Sequence, residues 1–129
     1  MPKKPEPAPP AASSIRRGDV VWINCDPSVG ARPRKTRTCV VVSNDLANQF
    51  GAALTVVPTQ QHTAERASRG YMVDLRKPRS TLEAPRVANA SMVMTYDRAR
   101  VVSKAGRLGA EALRRLDQAL ALHLGLSEI

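Results

Sequence analysis

Hydrophobic residues occur along this chain in short runs of four to eight, separated by turn-forming residues, which is typical of β-strands. The runs predict strands at 20–23, 39–43, 54–57, 71–75 and 87–94. The second run, Cys39–Ser43, is continuous and rich in valine, which predicts a strand buried on both faces. Pro58 is expected to end the third strand, and the polar residues 60–70 are expected to form a loop.

The spacing of hydrophobic residues changes after Gly109, where leucines recur every three or four positions. The leucines that would share one face of an amphipathic helix are Leu113, Leu116, Leu120 and Leu124. Glu111 precedes Arg115 by four residues on the outer face, a pairing that favours the helix. The pattern therefore predicts a mainly β (α+β) fold, in which a small, strongly bent antiparallel sheet or barrel carries a C-terminal amphipathic helix.

The length of 129 residues suits one domain, and it is too short for a doubly wound dinucleotide-binding fold or an α/β barrel. Residues 1–14 contain five of the ten prolines and are expected to form an extended or disordered N-terminal arm. Residues 15–129 are expected to fold as a single domain. No hydrophobic run approaches the length of a membrane-spanning helix and no signal segment opens the chain, so a soluble cytoplasmic protein is expected.

The chain is strongly basic, with a net charge of +9 that comes from 15 arginines and 5 lysines against 11 acidic residues. Arginine presents a planar fork of donors that matches phosphate oxygens, so this balance favours a nucleic acid as partner. Codon bias in a GC-rich genome, together with a need for solubility, would give a similar composition without such a partner. Aromatic residues are only 3% of the chain, which argues against a single-strand binder built on stacking platforms.

The cysteines and acidic residues do not form a metal-binding pattern. Cys25 and Cys39 lie in hydrophobic runs without the spacing of zinc ligands, and they are expected to be buried, reduced thiols. Asp19 and Asp26 are isolated at strand ends, where turn capping is the expected role. We therefore expect no metal and no other cofactor.

A cationic loop before the second predicted strand is the strongest candidate for chemistry. Its cations, which no acidic residue interrupts, are Arg32, Arg34, Lys35 and Arg37. Thr59 stands at the end of the following strand, and antiparallel pairing of the two strands would bring Thr59 near Arg37. A guanidinium and a hydroxyl beside one phosphate can stabilise the charge that develops during phosphoryl transfer.

Five short segments resemble, in order and in spacing, those of the MazF/PemK toxins of bacterial toxin–antitoxin systems. The segments are Arg17–Trp22 (RGDVVW), Asp26–Gly30 (DPSVG), Lys35–Arg37 (KTR) leading into Val40–Asp45 (VVVSND), Asn48–Gly51 (NQFG) and Val56–Thr59 (VVPT). The resemblance covers residues 16–125, which is nearly all of the predicted domain.

The resemblance implies an SH3-like small β-barrel with a C-terminal helix, as in the MazF/CcdB group, assembled as a homodimer. It also implies a sequence-specific endoribonuclease that cuts single-stranded mRNA, needs no metal and is inhibited by an antitoxin, for which an acidic protein is expected. The family's catalytic residues fall on Arg37 and Thr59. In this family the ribose 2′-hydroxyl attacks the adjacent phosphate and leaves a 2′,3′-cyclic phosphate and a 5′-hydroxyl.

This chemistry needs no nucleophile from the protein, because the RNA itself supplies it. Arg37 is expected to neutralise charge on the non-bridging oxygens, since a guanidinium is too basic to be an effective acid. Thr59 is expected to donate a hydrogen bond to the same phosphate. The chain departs from many relatives in having Thr38 where they have a proline, and from some relatives in having Arg32 where they have a glutamate that is a candidate base.

RNA-binding residues are expected around this catalytic pair. They are Arg32, Arg34, Lys35, Thr36, Gln60, Gln61, His62, Arg66 and Arg69. His62 lies three residues after Thr59, so a histidine acid or base is an alternative, although the family uses none there. Trp22 is expected to pack in the core or at the dimer interface and not to act as a platform on which bases stack. Met92 and Met94 replace polar residues of relatives, so the RNA sequence preference is expected to differ.

A further set of basic residues follows the last predicted strand and is expected to face either RNA or the antitoxin. It consists of Arg98, Arg100, Lys104 and Arg107.

A second hypothesis is a non-catalytic barrel protein, either a CcdB-like gyrase-targeting toxin or a nucleic-acid-binding relative that has lost catalysis. The presence of Arg37 and Thr59 favours the nuclease, whereas Arg32 in place of the glutamate favours the alternative. An RNA cleavage assay in the presence of EDTA separates the two hypotheses.

Overall fold

The structure is a computed structural model that describes residues 14–25 and 35–127. The predictions for the N-terminal arm up to residue 13, and for Asp26, Arg32 and Arg34, lie outside the described residues. The strands are β1 (Asp19–Asn24), β2 (Thr36–Val41), β3 (Ala53–Gln61), β4 (Met72–Asp74), β5 (Arg86–Asn89), β6 (Met94–Asp97) and β7 (Val101–Arg107). The helices are α1 (Asp45–Phe50), α2 (Ala64–Ala67) and α3 (Ala110–His123).

The described strands form one antiparallel sheet in the order β4-β5-β3-β2-β1-β7. The long strand β3 lies near its centre: one edge pairs with β2, and the other edge pairs first with β6 and then with β5. Among the described strands, β4 and β7 end this order, and the sheet is not closed into a barrel. The predicted mainly β class with a C-terminal helix is confirmed.

Pro58 does not end the third strand, contrary to the prediction. Strand β3 continues through Pro58 to Gln61, and Pro58 lies opposite Cys39 of β2. On the other edge, pairing with β6 ends at Val56 and pairing with β5 begins at Thr59. Pro58 therefore lies at the gap between β6 and β5. Proline has no backbone N–H to donate, and at this gap neither neighbouring strand needs one. The residues after Pro58 consequently belong to a strand and not to a loop.

The predicted strand at 87–94 is interrupted by a turn. The side-chain oxygen of Asn89 accepts hydrogen bonds from the backbone N–H (3.1 Å) and the hydroxyl (2.6 Å) of Ser91. These bonds cap a 3-10 turn at Ala90–Met92. Strand β6 therefore begins only at Met94, and it pairs with the first half of β3.

Two further elements differ from the sequence prediction. Within the expected loop 60–70, Thr63 caps α2 by accepting a hydrogen bond from the Arg66 N–H at 3.1 Å. Strand β7 pairs with β1, so Lys104 and Arg107 lie in a strand and not after the last one. The register of this pair shifts twice, and such irregularities obscure the alternation of hydrophobic and polar residues.

Hydrophobic residues of the central strands alternate between two cores on opposite faces of the sheet. The first core contains Val40 and Val57 and is covered by α3 through Leu116. The second core contains Val41 and Val56. Strand β2 is therefore buried on both faces, as predicted from its continuous run of hydrophobic residues.

Helix α3 confirms the predicted C-terminal helix, and it buries Leu116 and Leu120. Leu124 lies one residue beyond the end of the helix and is exposed, so the buried stripe is shorter than the sequence suggests. The predicted ion pair between Glu111 and Arg115 is present at 3.5 Å.

The Arg17-Gly18-Asp19 segment, part of the family resemblance, forms a turn that is tied to α3. Gly18 has a φ of +93°, a conformation that favours glycine. The expected turn cap at Asp19 is confirmed, because its carboxylate accepts a hydrogen bond from the Arg16 N–H at 2.8 Å. The Arg17 guanidinium donates to Asp117 of α3 at 3.1 Å. These residues of the motif therefore stabilise the fold.

Candidate active site

The ends of β2 and β3 bring two buried hydroxyls together. The strands pair antiparallel, as expected, with Cys39 opposite Pro58. One position further along, the hydroxyl oxygens of Thr38 and Thr59 lie 2.5 Å apart. Both side chains are buried, on the face of the sheet that α3 covers.

A guanidinium contacts the Thr59 hydroxyl, and it belongs to Arg86. Arg86 Nε donates to Thr59 Oγ1 at 2.9 Å, and a terminal nitrogen of the same guanidinium donates to the Thr59 carbonyl at 2.9 Å. The contact arises because β5 pairs with the end of β3, with Ala88 opposite Thr59. Sequence reasoning missed Arg86, because this contact spans 27 positions of the chain and no local motif marks it.

The available donors determine how the Thr59 hydroxyl can act. A guanidinium only donates hydrogen bonds, so Thr59 Oγ1 is the acceptor of the bond from Arg86. When the Thr38 hydroxyl donates to the same oxygen, both acceptor positions of Thr59 are filled. The proton of Thr59 is then free to point at a ligand. The arrangement suits a hydroxyl that donates a hydrogen bond to a phosphate oxygen.

Arg37 lies next to this cluster but on the other face of β2, because adjacent residues of a strand point to opposite faces. It lines a cavity of about 250 Å³ together with Pro58 and Tyr96. Among the described residues no hydrogen bond joins Arg37 to Thr59. The guanidinium that contacts the Thr59 hydroxyl therefore belongs to Arg86 and not to Arg37, the residue that the sequence analysis paired with Thr59.

The Arg86 guanidinium lies close enough to Arg37 and Arg66 to be influenced by their charges. Burial lowers the pKa of Arg86 below its ordinary value, and the positive charges of Arg37 and Arg66 lower it further. Within the described part of the chain, none of the three forms an ion pair with a carboxylate. A positive cluster that is not compensated by acidic side chains attracts an anion, and a phosphate would satisfy it.

Several predicted RNA-binding residues share a second cavity, of about 480 Å³, formed by β3, α2 and their neighbours. Gln60 lines it, and its side-chain oxygen accepts a hydrogen bond from Asn89 at 3.1 Å. Arg66 and Arg69 also line it, and Arg69 donates to the Tyr71 hydroxyl at 2.9 Å. Asn89 was not expected here, because it reaches the cavity through the pairing of β5 with β3, and Tyr71, which directly precedes β4, was not singled out from the sequence.

The remaining predicted RNA-binding residues are less closely grouped. Lys35 is exposed and lines the cavity of Arg37. Thr36 and Gln61 are exposed and do not belong to the described lining of either cavity. The backbone carbonyl of Gln61 accepts a hydrogen bond from Arg66 at 2.9 Å, which holds α2 against the end of β3.

His62 contacts Asp74 and not Thr59. Its Nε2 lies 3.7 Å from the Asp74 carboxylate. The Arg76 side chain donates to that carboxylate at 2.7 Å, and this interaction is the main reason why the pKa of Asp74 is lowered to about 2. Among the described residues, no contact supports a histidine acid or base beside Thr59.

The two cysteines are free thiols, as expected, but only Cys39 is buried and Cys25 is partly exposed. Burial raises the pKa of Cys39 to about 12. The described residues include no group of three side chains that could hold a metal ion. In the same part of the chain, we find no helix with the length and hydrophobicity needed to span a membrane.

Comparison with known proteins identifies the family. Residues 16–124 match the PemK-like, MazF-like toxins of type II toxin–antitoxin systems. Endoribonuclease MazF9 of Mycobacterium tuberculosis (strain ATCC 25618 / H37Rv) is 33% identical over 117 residues, which cover 87% of this chain and 98% of MazF9. A crystal structure of MazE-MazF from Deinococcus radiodurans has a TM-score of 0.71 at 22% identity, covering 88% of this chain and 97% of that one. An endoribonuclease from a mycobacterial species, solved in complex with its cognate antitoxin, has a TM-score of 0.67 at 18% identity, covering 89% and 97%. The chain therefore belongs to the PemK-like, MazF-like toxin family.

Proposed function

We propose that this chain is an endoribonuclease toxin that cleaves single-stranded mRNA at specific sequences without a metal. The observation that carries the proposal is the buried hydroxyl pair of Thr38 and Thr59 in contact with the Arg86 guanidinium. The uncompensated positive charge around it favours a phosphodiester as the ligand. Membership of the toxin family, and a relative named as an endoribonuclease, support the same reading.

The reaction starts when the ribose 2′-oxygen attacks the adjacent phosphorus. A 2′,3′-cyclic phosphate forms as the bond to the 5′-oxygen breaks, the 2′-hydroxyl loses its proton to water, and the 5′-oxygen takes up a proton. Negative charge grows on the non-bridging oxygens during this step, and the Thr59 O–H and the guanidiniums stabilise it. The contribution of the protein is therefore alignment of the RNA and stabilisation of charge.

Arg37 and Arg86 have different parts in this proposal. Arg86 donates to Thr59 and thereby orients the hydroxyl that contacts the phosphate. Arg37, at the position of the family's catalytic arginine, lies on the other face of β2 and is proposed to reach the non-bridging oxygens around the end of that strand. Its side chain is half-buried, lines a cavity beside Pro58 and has no carboxylate partner among the described residues, so it is available to a phosphate at the strand ends.

We also propose a homodimer that is inhibited by an acidic antitoxin. Helix α1 exposes Leu46 (71%) and Phe50 (75%), two large hydrophobic side chains that a second copy would cover. The net charge of +9 favours an acidic partner segment. Because the proposed substrate is mRNA, we expect the chain to act in the cytoplasm.

Cleavage of a long single-stranded transcript in the presence of EDTA tests the proposal. The wild-type chain is expected to cut it and to leave 2′,3′-cyclic phosphate ends that mass spectrometry detects. Arg37→Ala and Thr59→Val are expected to lose roughly 100- to 1,000-fold in rate, as when one donor to a developing oxyanion is removed. Arg114→Ala on the exposed face of α3 is the matched control for loss of one charge.

Two outcomes would contradict the proposal. Full activity of Arg37→Ala would remove that residue from the mechanism. Absence of scission by the wild-type chain, with EDTA or with Mg²⁺, would select the non-catalytic alternative, and inhibition of gyrase by the same sample would identify its target class.

A further inference from the structure

Trp22 is the single tryptophan of the chain and lies at the surface. It was expected to pack in the core or at a dimer interface, but it is 39% exposed, so the core prediction is wrong. Trp22 is in the middle of β1, opposite Thr38 of β2 and Ser103 of β7. A large aromatic ring is therefore held by a paired, central strand and is open to a ligand.

Trp22 forms part of the wall of a third cavity, of about 300 Å³. Leu82 and Ala84, from the segment between β4 and β5, also line it, so much of its surface is apolar. Glu83 is a carboxylate in its lining, and this carboxylate is ion-paired with Lys77 at 2.7 Å. The cavity is within the size range of small-ligand sites, and its acidic group is compensated.

Two residues of this cavity belong to the Thr59 cluster as well. Thr38 and Arg86 line the cavity, and both are hydrogen-bonded to the Thr59 hydroxyl. Trp22 lies opposite Thr38, and the hydroxyls of Thr38 and Thr59 meet across the next strand pair. Since neighbouring strands are about 4.8 Å apart, the backbones at Trp22 and Thr59 are separated by about 10 Å. A ligand in the cavity is thus directly next to the candidate phosphate site.

We propose that this cavity binds the base of a nucleotide adjacent to the cleaved phosphate, stacked on Trp22; this inference rests on the proposed nuclease function. A base offers a flat apolar face to the indole ring, and its own phosphate is placed near a guanidinium. The mainly apolar wall of the cavity suits a flat base, and the adjoining hydroxyl pair with Arg86 suits its phosphate, so RNA is favoured over an acidic peptide as the occupant.

The fluorescence of Trp22 tests the proposal without any variant, because no other tryptophan contributes to the signal. The full chain is titrated with a single-stranded RNA that contains its cut site and carries a 2′-deoxy substitution at the attacking ribose. This RNA binds but cannot be cleaved. Stacking is expected to quench the fluorescence, with the same saturation curve as binding measured by anisotropy of a labelled RNA.

An abasic nucleotide, placed in turn at each position around the cut, locates the stacked base. At one position next to the cut, it is expected to abolish the quenching and to weaken binding roughly 5- to 150-fold. Trp22→Leu should bind the intact RNA more weakly than the wild type does, by a similar factor. It should bind the abasic RNA as well as it binds the intact RNA. Trp22→Phe should keep most of the affinity. Tyr71→Leu, an aromatic substitution in the cavity beside α2, is the matched control and should stay sensitive to the abasic position.

Three results would overturn the inference. The first is binding of RNA without quenching of the Trp22 fluorescence. The second is a loss of affinity in Trp22→Leu, relative to the wild type, that is as large for the abasic RNA as for the intact RNA. The third is quenching by an acidic peptide but not by RNA. Cleavage of unmodified RNA, measured with the same samples, tests the nuclease separately. A chain that cuts RNA without quenching refutes only the base site. A chain that is quenched but does not cut refutes the nuclease and the placement of the base beside a cleaved phosphate, while binding of a base in the cavity stands.

Discussion

Removal of the Thr38 hydroxyl tests whether this group orients Thr59. Thr38→Val keeps the shape of the buried side chain and deletes the oxygen that lies 2.5 Å from Thr59 Oγ1. The bond from Arg86 to Thr59 remains. One acceptor position of the Thr59 hydroxyl is then empty, so the hydroxyl can rotate away from the phosphate.

The expected loss follows from the energy of one hydrogen bond. A bond between neutral groups contributes about 0.5–1.5 kcal/mol, and a tenfold change in rate corresponds to about 1.4 kcal/mol. The single-turnover rate of RNA cleavage by Thr38→Val should therefore fall roughly 2- to 12-fold. Arg86→Gln removes a charged donor, which contributes about 1.5–3 kcal/mol, and should lose roughly 10- to 150-fold.

A double-mutant cycle separates orientation from a general effect on the fold. In a Thr59→Val background, Thr38→Val should not lower the single-turnover rate further at saturating RNA, because Thr38 influences the cleavage step through the hydroxyl that is missing. Thr38→Ser restores the oxygen and should recover most of the rate, while thermal unfolding monitors the stability of each variant. The same fractional loss in both backgrounds would refute the reasoning, since Thr38 would then influence the site by another route.

Three further predictions concern stability and reactivity. Because Arg76 lowers the pKa of Asp74 from 3.8 to about 2, the stabilisation is complete above pH 4 and is lost as the pH falls through 2. The free energy of unfolding of the wild-type chain, measured with urea, should therefore fall as the pH is lowered from 4 to 2. In Asp74→Asn this fall should be smaller by about 1 kcal/mol, a value reduced because the cations are exposed to solvent. A fall of the same size in both chains would exclude this ion pair as the cause. The raised pKa of Cys39 predicts that iodoacetamide modifies only Cys25 in the native chain, and mass spectrometry showing two modified thiols would contradict this. Leu116→Ala removes a fully buried side chain of α3 and should lower the free energy of unfolding by about 2–5 kcal/mol, whereas a loss below 1 kcal/mol would mean that α3 is not part of the core.

The sequence predicted those elements whose hydrophobic pattern is local and regular. Strand β2 has a continuous run of valines and α3 has leucines at helical spacing, so both are found close to the predicted positions. The turn that separates β5 from β6 depends on the side chain of Asn89, which caps it inside a hydrophobic run. The passage of β3 through Pro58 depends on which strand lies beside it, and a single sequence does not contain that information.

The candidate site was predictable to the extent that it depends on consecutive strands. The pairing of β2 with β3 placed Thr59 beside the end of β2, as the sequence suggested. The identity of the guanidinium was not predictable, because Arg86 reaches Thr59 through the pairing of β5 with β3. The role of Arg37 stays a prediction, since the alternation of side chains along β2 places it on the opposite face from Thr38.

If the chain cuts RNA as proposed, the change of partner along β3 at Pro58 separates the residue that acts on the phosphate from residues that select the RNA. Thr59 belongs to a strand with paired neighbours on both edges and is buried, whereas Met94 of β6 is an exposed side chain and Arg66 of α2 lies outside the sheet. Replacement of Met94 or Arg66 would then change which RNA sequence the chain binds, while the position of the phosphate beside Thr59 would not change. Under the proposed function, one scaffold of this kind would serve toxins that act on different transcripts by the same chemistry.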